Sequence, residues 1–120
     1  MKARFSTQLV TFELEANTQA ELFKLLAETQ EVFGERCCGM CDKGNLRFVV
    51  REVDGNHYHE YHCLDCNAKL SLGQSRQNKG SLFPIRKLTA QGKPSRKEGT
   101  FDTKHRGWTK YRGEPEKPEA

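Results

Sequence analysis

Two C-x-x-C pairs, Cys38-x2-Cys41 and Cys63-x2-Cys66, are separated by 21 intervening residues and restrict the fold of this chain more than any other feature. Each such loop places two sulfurs on one side of a metal ion, and two loops brought together complete a tetrahedral thiolate shell. The intervening residues supply the connection. Asn45–Asp54 alternates as a strand, with Leu46, Phe48 and Val50 opposite Arg47, Val49 and Arg51. Gly55-Asn56 is a turn signal, and His57–His62 returns as a second strand into the second pair. The spacing predicts one structural zinc ion held by Cys38, Cys41, Cys63 and Cys66, in a zinc ribbon whose two knuckles are joined by a β-hairpin. Gly44 in the first knuckle and Asn67 in the second are the residues expected to accommodate the tight turns. A redox-active pair would sit at a helix N-terminus after a strand, and neither pair does. A closed shell of four thiolates also leaves no coordination position for catalysis.

Other residues compete for the metal. Cys37 gives a Cys37-x3-Cys41 spacing that fits a knuckle less well than Cys38, so it reads as a packed residue, with ligand exchange or reactivity as the alternative. His57 and His59 share one strand face while His62 takes the other, which favours an exposed strand rich in His and Tyr over a convergent histidine set. His62 in place of a cysteine is the remaining alternative.

The metal also answers a shortage of core. Only 35% of the 120 residues are hydrophobic and 30% are charged, and small lean chains gain little net stability from burial alone. The N-terminus carries no apolar run resembling a signal peptide, and no stretch approaches transmembrane length. A reducing cytoplasm, that of a bacterial host cell, is the expected location, since thiolates stay available there.

Upstream of the cysteines, residues 6–15 alternate with Val10, Phe12 and Leu14 on one face and read as a strand. Thr18-Gln-Ala-Glu21 matches a capping box ahead of a helix over about 19–33, with Gly34 as its C-cap. Leu22, Leu25, Leu26, Val32 and Phe33 form its stripe, expected to pack on the strand face. The predicted class is α+β. Its parts are a strand-helix layer over 1–36 packed on the ribbon, the ribbon over 37–87, and a basic, partly flexible arm with a disordered acidic tail over 88–120.

Charge is distributed unevenly along these parts. Residues 73–112 carry eleven Lys/Arg against Glu98 and Asp102 alone, whereas residues 1–36 carry four basic against six acidic side chains. Such a cationic stretch points to a polyanionic partner. Basic residues interleaved with aromatics are what single-stranded nucleic acid needs, cations for phosphates and rings for bases. The expected contacts are Arg47, Arg51, Lys79, Arg86, Lys87 and Arg106 for phosphates, and Tyr58, Tyr61 and Trp108 for stacking. The bland alternative tucks Phe83 and Trp108 onto the core and leaves the lysines as a solvated coat. No helix-turn-helix or recognition helix is present, so backbone contacts with little sequence preference are expected.

The segment CCGMCDKGNLRFVVREVDGNHYHEYHCLDCNAKLSLGQSRQNKGSLFPIRK resembles a family of small zinc-ribbon proteins encoded by bacteriophages and integrated mobile elements. The similarity rests on the paired knuckles, the FVVREVDGN hairpin, the C-x-x-C-x-A-x-L second knuckle, the Gly-Gln…Leu-Phe-Pro-x-Arg-Lys stretch and the late Gly107-Trp108-x-Lys-Tyr111. It is strongest over 37–87 and extends over roughly residues 8–112. The resemblance implies a phage-like origin and an association with DNA replication, recombination or single-strand binding. The expected function is therefore zinc-stabilised, non-enzymatic single-stranded DNA binding. The alternative is a zinc-ribbon adaptor that docks on a replication or transcription protein. No convergent carboxylate pair, activated nucleophile or phosphate-cradling glycine loop argues for an enzyme.

Overall fold

The computed structural model describes residues 1–75, 77 and 80–110, and its chain divides into two compact units, Met1–Arg36 and Cys37–Ala120. The class is α+β, with one helix and several small sheets among the described residues. No helix among them is long and apolar enough to cross a membrane.

The first unit is a hairpin with a helix. Strands β1 (Lys2–Ser6) and β2 (Thr11–Glu15) pair antiparallel, with Phe5 opposite Phe12 and Ala3 opposite Leu14. The continuous strand expected over 6–15 is corrected here: residues 7–10 turn, and a strand over 2–6 precedes them. Thr7 explains the reversal. Its hydroxyl accepts from the amides of Leu9 and Val10 at 3.3 and 3.0 Å, and its own amide donates to the Val10 carbonyl at 2.8 Å. A threonine side chain that satisfies local amides competes with strand pairing. Helix α1 (Gln19–Phe33) begins where its capping box predicts. Thr18 Oγ1 accepts from the Glu21 amide at 3.1 Å, and the Glu21 carboxylate reaches the Asn17 amide at 3.2 Å, one residue ahead of the cap. The Gly34 amide closes the last turn on the Gln30 carbonyl at 2.8 Å. Phe33 meets Phe12 of β2 with ring centroids 4.9 Å apart, as the stripe requires.

In the second unit, strands β3 (Leu46–Val53), β4 (Asn56–Cys63), β5 (Ala68–Gln74) and β6 (Leu82–Pro84) lie in that order as an antiparallel sheet. The β3–β4 reversal uses Asp54 and Gly55, with φ of 51° and 80°, so the turn falls one residue earlier than Gly55-Asn56. Two left-handed residues give a turn whose twist matches the strands. Strands β7 (Lys87–Leu88) and β8 (Thr100–Phe101) pair with each other, and β9 (Thr109–Lys110) pairs with β5 through Lys69 and Ala68. Within 88–110, expected as part of a basic, partly flexible arm, Leu88, Pro94, Thr100–Phe101 and Thr109–Lys110 make strand pairs or bridges. The remainder of that arm, 111–120 with Tyr111, Arg112 and the acidic tail, lies outside the described residues.

Register sorts the sheet into two unlike faces, because directly paired residues share a side. One face runs Leu46–Cys63 and Phe48–Tyr61–Leu70 across β3, β4 and β5. Trp108 closes it, 6.4 Å from Tyr61 between centroids, and Trp108, Tyr61 and Leu70 are all essentially fully buried. The opposite face carries Glu60, whose side chain is 3% exposed. Its carboxylate accepts from Arg51 Nε and Nη2 at 2.9 Å each, from His62 Nε2 at 2.8 Å and from Lys69 Nζ at 3.4 Å. Burial pushes the Glu60 carboxyl up, but His62, Arg51 and Lys69 outweigh it and hold the group at about 2.

A buried carboxylate with cationic partners leaves an uncompensated charge pocket when one member is removed, at a cost of about 3–5 kcal/mol. Glu60→Gln should therefore lower unfolding stability at neutral pH by about that amount in a urea titration. Because the folded pKa lies below the ordinary carboxylate value, this stabilisation is complete above about pH 4.5 and is lost as pH falls towards about 2. The gap between wild type and variant should narrow over that window, and a pH-independent gap would refute the charge origin.

Candidate metal centre and cationic surface

The hairpin register brings the two C-x-x-C loops together: Leu46 at the start of β3 pairs with Cys63 at the end of β4. Each loop closes by the same device. The Asp42 amide donates to the Cys38 carbonyl at 2.9 Å, and the Asn67 amide donates to the Cys63 carbonyl at 3.0 Å. Asp42 and Asn67, each following the second cysteine of its pair, take φ of 62° and 64°. Asn67 thus fills its expected turn role, while Asp42 rather than Gly44 is the left-handed residue of the first loop. Asp and Asn tolerate this region better than other side chains do.

The Sγ atoms of Cys38, Cys41, Cys63 and Cys66 all lie within 4.8 Å of one another. Cys38–Cys66 and Cys41–Cys63 approach to 3.5 and 3.6 Å, and none of the four is in a disulfide. A tetrahedral thiolate site with bonds of roughly 2.3 Å has sulfurs roughly 3.8 Å apart, so this donor set fits one metal ion. Backbone amides add to the fit. Met40 donates to Cys38 Sγ at 3.3 Å, and the amides of Asp65 and Cys66 point at Cys63. The metal-free thiols are unequal. Burial pushes Cys38 up to about 12. Burial also acts to raise Cys63, but its amide donors and the Cys41 thiol bring it below the ordinary value. Desolvation holds Cys66 above the ordinary value.

The other candidate ligands stand apart from the cluster. Cys37 is half-buried, with Arg106 Nη2 donating to its carbonyl at 3.2 Å and lying 3.7 Å from its sulfur. His62 is engaged by Glu60, and His57 lies 3.9 Å from Glu52. His105 has a role that its sequence context did not announce: its Nδ1 bonds the Gly39 carbonyl, inside the first loop, at 2.9 Å. Trp108 packs on the same glycine, where a Cβ would overlap the indole and the His105 carbonyl. Asp102 shapes the segment that delivers both residues, its carboxylate accepting from the amides of Lys104, His105 and Gly107 at 3.1–3.2 Å.

The residues expected to meet nucleic acid separate into three groups. Tyr61 and Trp108 are 1% exposed, so their rings belong to the core and present no face to a base in this packing. Arg51 is held by Glu60, Arg86 Nη1 donates to the Arg106 carbonyl at 2.7 Å, and Arg106 holds Cys37, so these three guanidiniums have structural duties. Arg47, Tyr58 and Lys87 are exposed, and Lys79 lies outside the described residues. Sequence reasoning missed Phe101, which is 59% exposed and sits opposite Lys87 in the β7–β8 pair. It also passed over Arg96, whose guanidinium lies 5.1 Å from the Phe83 ring centroid. The basic-linker composition of 91–99 hid that contact.

Comparison of the chain with protein-family models, with curated proteins and with solved structures finds no match.

Metal loading should be stoichiometric, at one ion per chain, and should release protons, so that apparent affinity rises with pH. Elemental analysis of Cys66→Ser should show loss of that ion while Cys37→Ser retains it; retention by the former would exclude the four-sulfur assignment. Trp108, the single tryptophan of the chain, reports the coupling: its emission should shift to the red when a chelator strips the first loop.

Proposed function

We propose that this protein is a zinc-stabilised binder of single-stranded nucleic acid, with a closed four-thiolate zinc ribbon as its structural centre. Four thiolates in a tetrahedron suit zinc or iron, and a colourless protein with bound zinc is the expected outcome of purification. The observation that carries the binding reading is a set of uncompensated cations on folded backbone. Lys87, Lys93, Arg96, Lys97, Lys104 and Lys110 are all exposed, and none has an ion pair among the described residues. Exposed rings accompany them, Phe101 beside Lys87 and Tyr58 on the hairpin with Arg51 5.6 Å from its centroid. Cations supply salt-dependent affinity for phosphates, and exposed rings favour unpaired bases. Arg47, Lys87 and Tyr58 keep their proposed roles, while Phe101 takes over the stacking first assigned to Tyr61 and Trp108. Single-stranded DNA is the preferred ligand, in the phage or mobile-element replication and recombination setting that the cysteine segment's resemblance implies.

A second reading has one observation in its favour. Phe23 is 75% exposed on a helix with no buried residue, in the acidic first unit, which is the kind of surface an adaptor would use to dock on a replication or transcription protein.

Fluorescence anisotropy on matched single-stranded and duplex oligonucleotides across a salt series separates the two. Binding that favours the single strand and weakens steeply with salt is expected. Replacing Lys87 and Lys104 together by Ala should reduce the salt slope by roughly two contacts. Absence of binding at low salt would overturn the proposal in favour of the adaptor.

A further inference from the structure

The ends of β5 and β6 and the Arg96-Lys97 pair border an open cleft. Ser75, Gln77, Phe83, Arg96 and Lys97 line an open cleft of about 370 Å³, within the roughly 300–1,000 Å³ range of small-ligand sites. Its floor is built by register. Phe83 pairs with Gly73, and a Cβ on Gly73 would come within 2.5 Å of the ring, so the glycine leaves room for the aromatic. Next to it, the Ser75 amide donates to the Ser81 carbonyl at 2.9 Å. The Arg96 guanidinium carbon lies 5.1 Å from the Phe83 ring centroid, and Arg96 is exposed. Gln77 is exposed and makes no side-chain hydrogen bond among the described residues, leaving an amide with both donor and acceptor. Lys97, next along the chain, is exposed and without an ion pair among the described residues.

We propose that this cleft holds one unpaired nucleotide, with the base stacked on the Arg96–Phe83 layer, its edge read by Gln77 and its phosphate on Lys97. The chemistry is specific to a nucleotide in combination. A simple anion would have no use for the aromatic layer, and an apolar ligand would have no use for two cations and a carboxamide. Bases stack on guanidinium planes as well as on rings, and Arg is more weakly hydrated than Lys, so Arg96 beside Phe83 suits a base. The proposal rests on the nucleic-acid reading above and deepens it from a charged surface to a defined subsite.

The test uses the full zinc-loaded chain and a short oligothymidylate carrying one central 2-aminopurine, whose fluorescence is quenched by stacking. Arg96→Lys retains the charge and removes the plane. It should lose most of the quenching and weaken binding roughly fivefold or more, with the salt slope unchanged. Lys97→Ala should do the converse, lowering the salt slope by roughly one contact while quenching persists at saturation. Arg96 is exposed, so neither result is confounded by unfolding. Wild-type binding with undiminished affinity and quenching in Arg96→Lys would overturn the subsite and leave the broader reading standing. Failure of the wild type to bind the oligonucleotide would overturn both.

Discussion

Four cysteine sulfurs held within 4.8 Å of one another form the constraint on which the second unit depends. The cluster is a long-range object: Cys38 and Cys66 are 28 residues apart, yet their sulfurs approach to 3.5 Å. Such convergence requires the β3–β4 register, the Leu46–Cys63 pair in particular, because a slip of one residue would turn Cys63 to the other face. Dependence also runs from cluster to sheet. Among the described residues, Trp108, Tyr61, Leu70, Cys38 and Cys63 are the largest fully buried side chains, so two of the five belong to the cluster itself. A unit this small cannot separate its core from these cysteines, and the energy of an ion bound there would be folding energy.

The same economy governs charge. Around the hairpin, one buried carboxylate occupies Arg51, His62 and, from β5, Lys69, while Arg47 of the same strand as Arg51 stays exposed. In the following segment the acidic groups are few and differently used. Asp102 is directed at three backbone amides, which hold its carboxyl below the ordinary range against the opposing effect of burial. The exposed lysines of 87–110 and Arg96 are left without an ion pair among the described residues. Charge counted along a sequence gives the total, whereas the distribution of buried acceptors decides where a polyanion feels it.

What was legible in the sequence was either local or fixed by the spacing of the cysteines. The capping box at Thr18 and Glu21, the helix after it, the hairpin between the cysteine pairs and the four converging cysteines each follow from residues within a few positions or from a spacing with one geometric solution. The misreadings share a different cause. Tyr61 and Trp108 stand among basic residues, which made them resemble a stacking surface, yet their burial was decided by partners far away in sequence. Trp108 is buried because Gly39, 69 positions earlier, lacks a Cβ and lets the indole approach. Glu60 looks like an ordinary polar position until register places Arg51 and Lys69, from the strands on either side, beside it. Thr7 was hidden for a simpler reason: an alternating pattern runs through a turn without interruption when a hydroxyl satisfies the turn amides.

The seam between the first cysteine loop and residues 102–108 links the two halves of the functional proposal. His105 and Trp108 bear on Gly39 from a segment whose neighbours Lys104 and Lys110 carry exposed charge, while Arg86 and Arg106 tie that segment to Cys37 and to the end of the sheet. A cationic arm without such ties would lose conformational entropy on binding, and each ordered long side chain would reduce the affinity gained from its phosphate contact. Fixing the arm's backbone at the metal loop meets part of that cost during folding. On the proposed function, a zinc ion at the cluster would not touch the nucleic acid; it would set the rigidity of the surface that does, through one glycine, one histidine and one tryptophan.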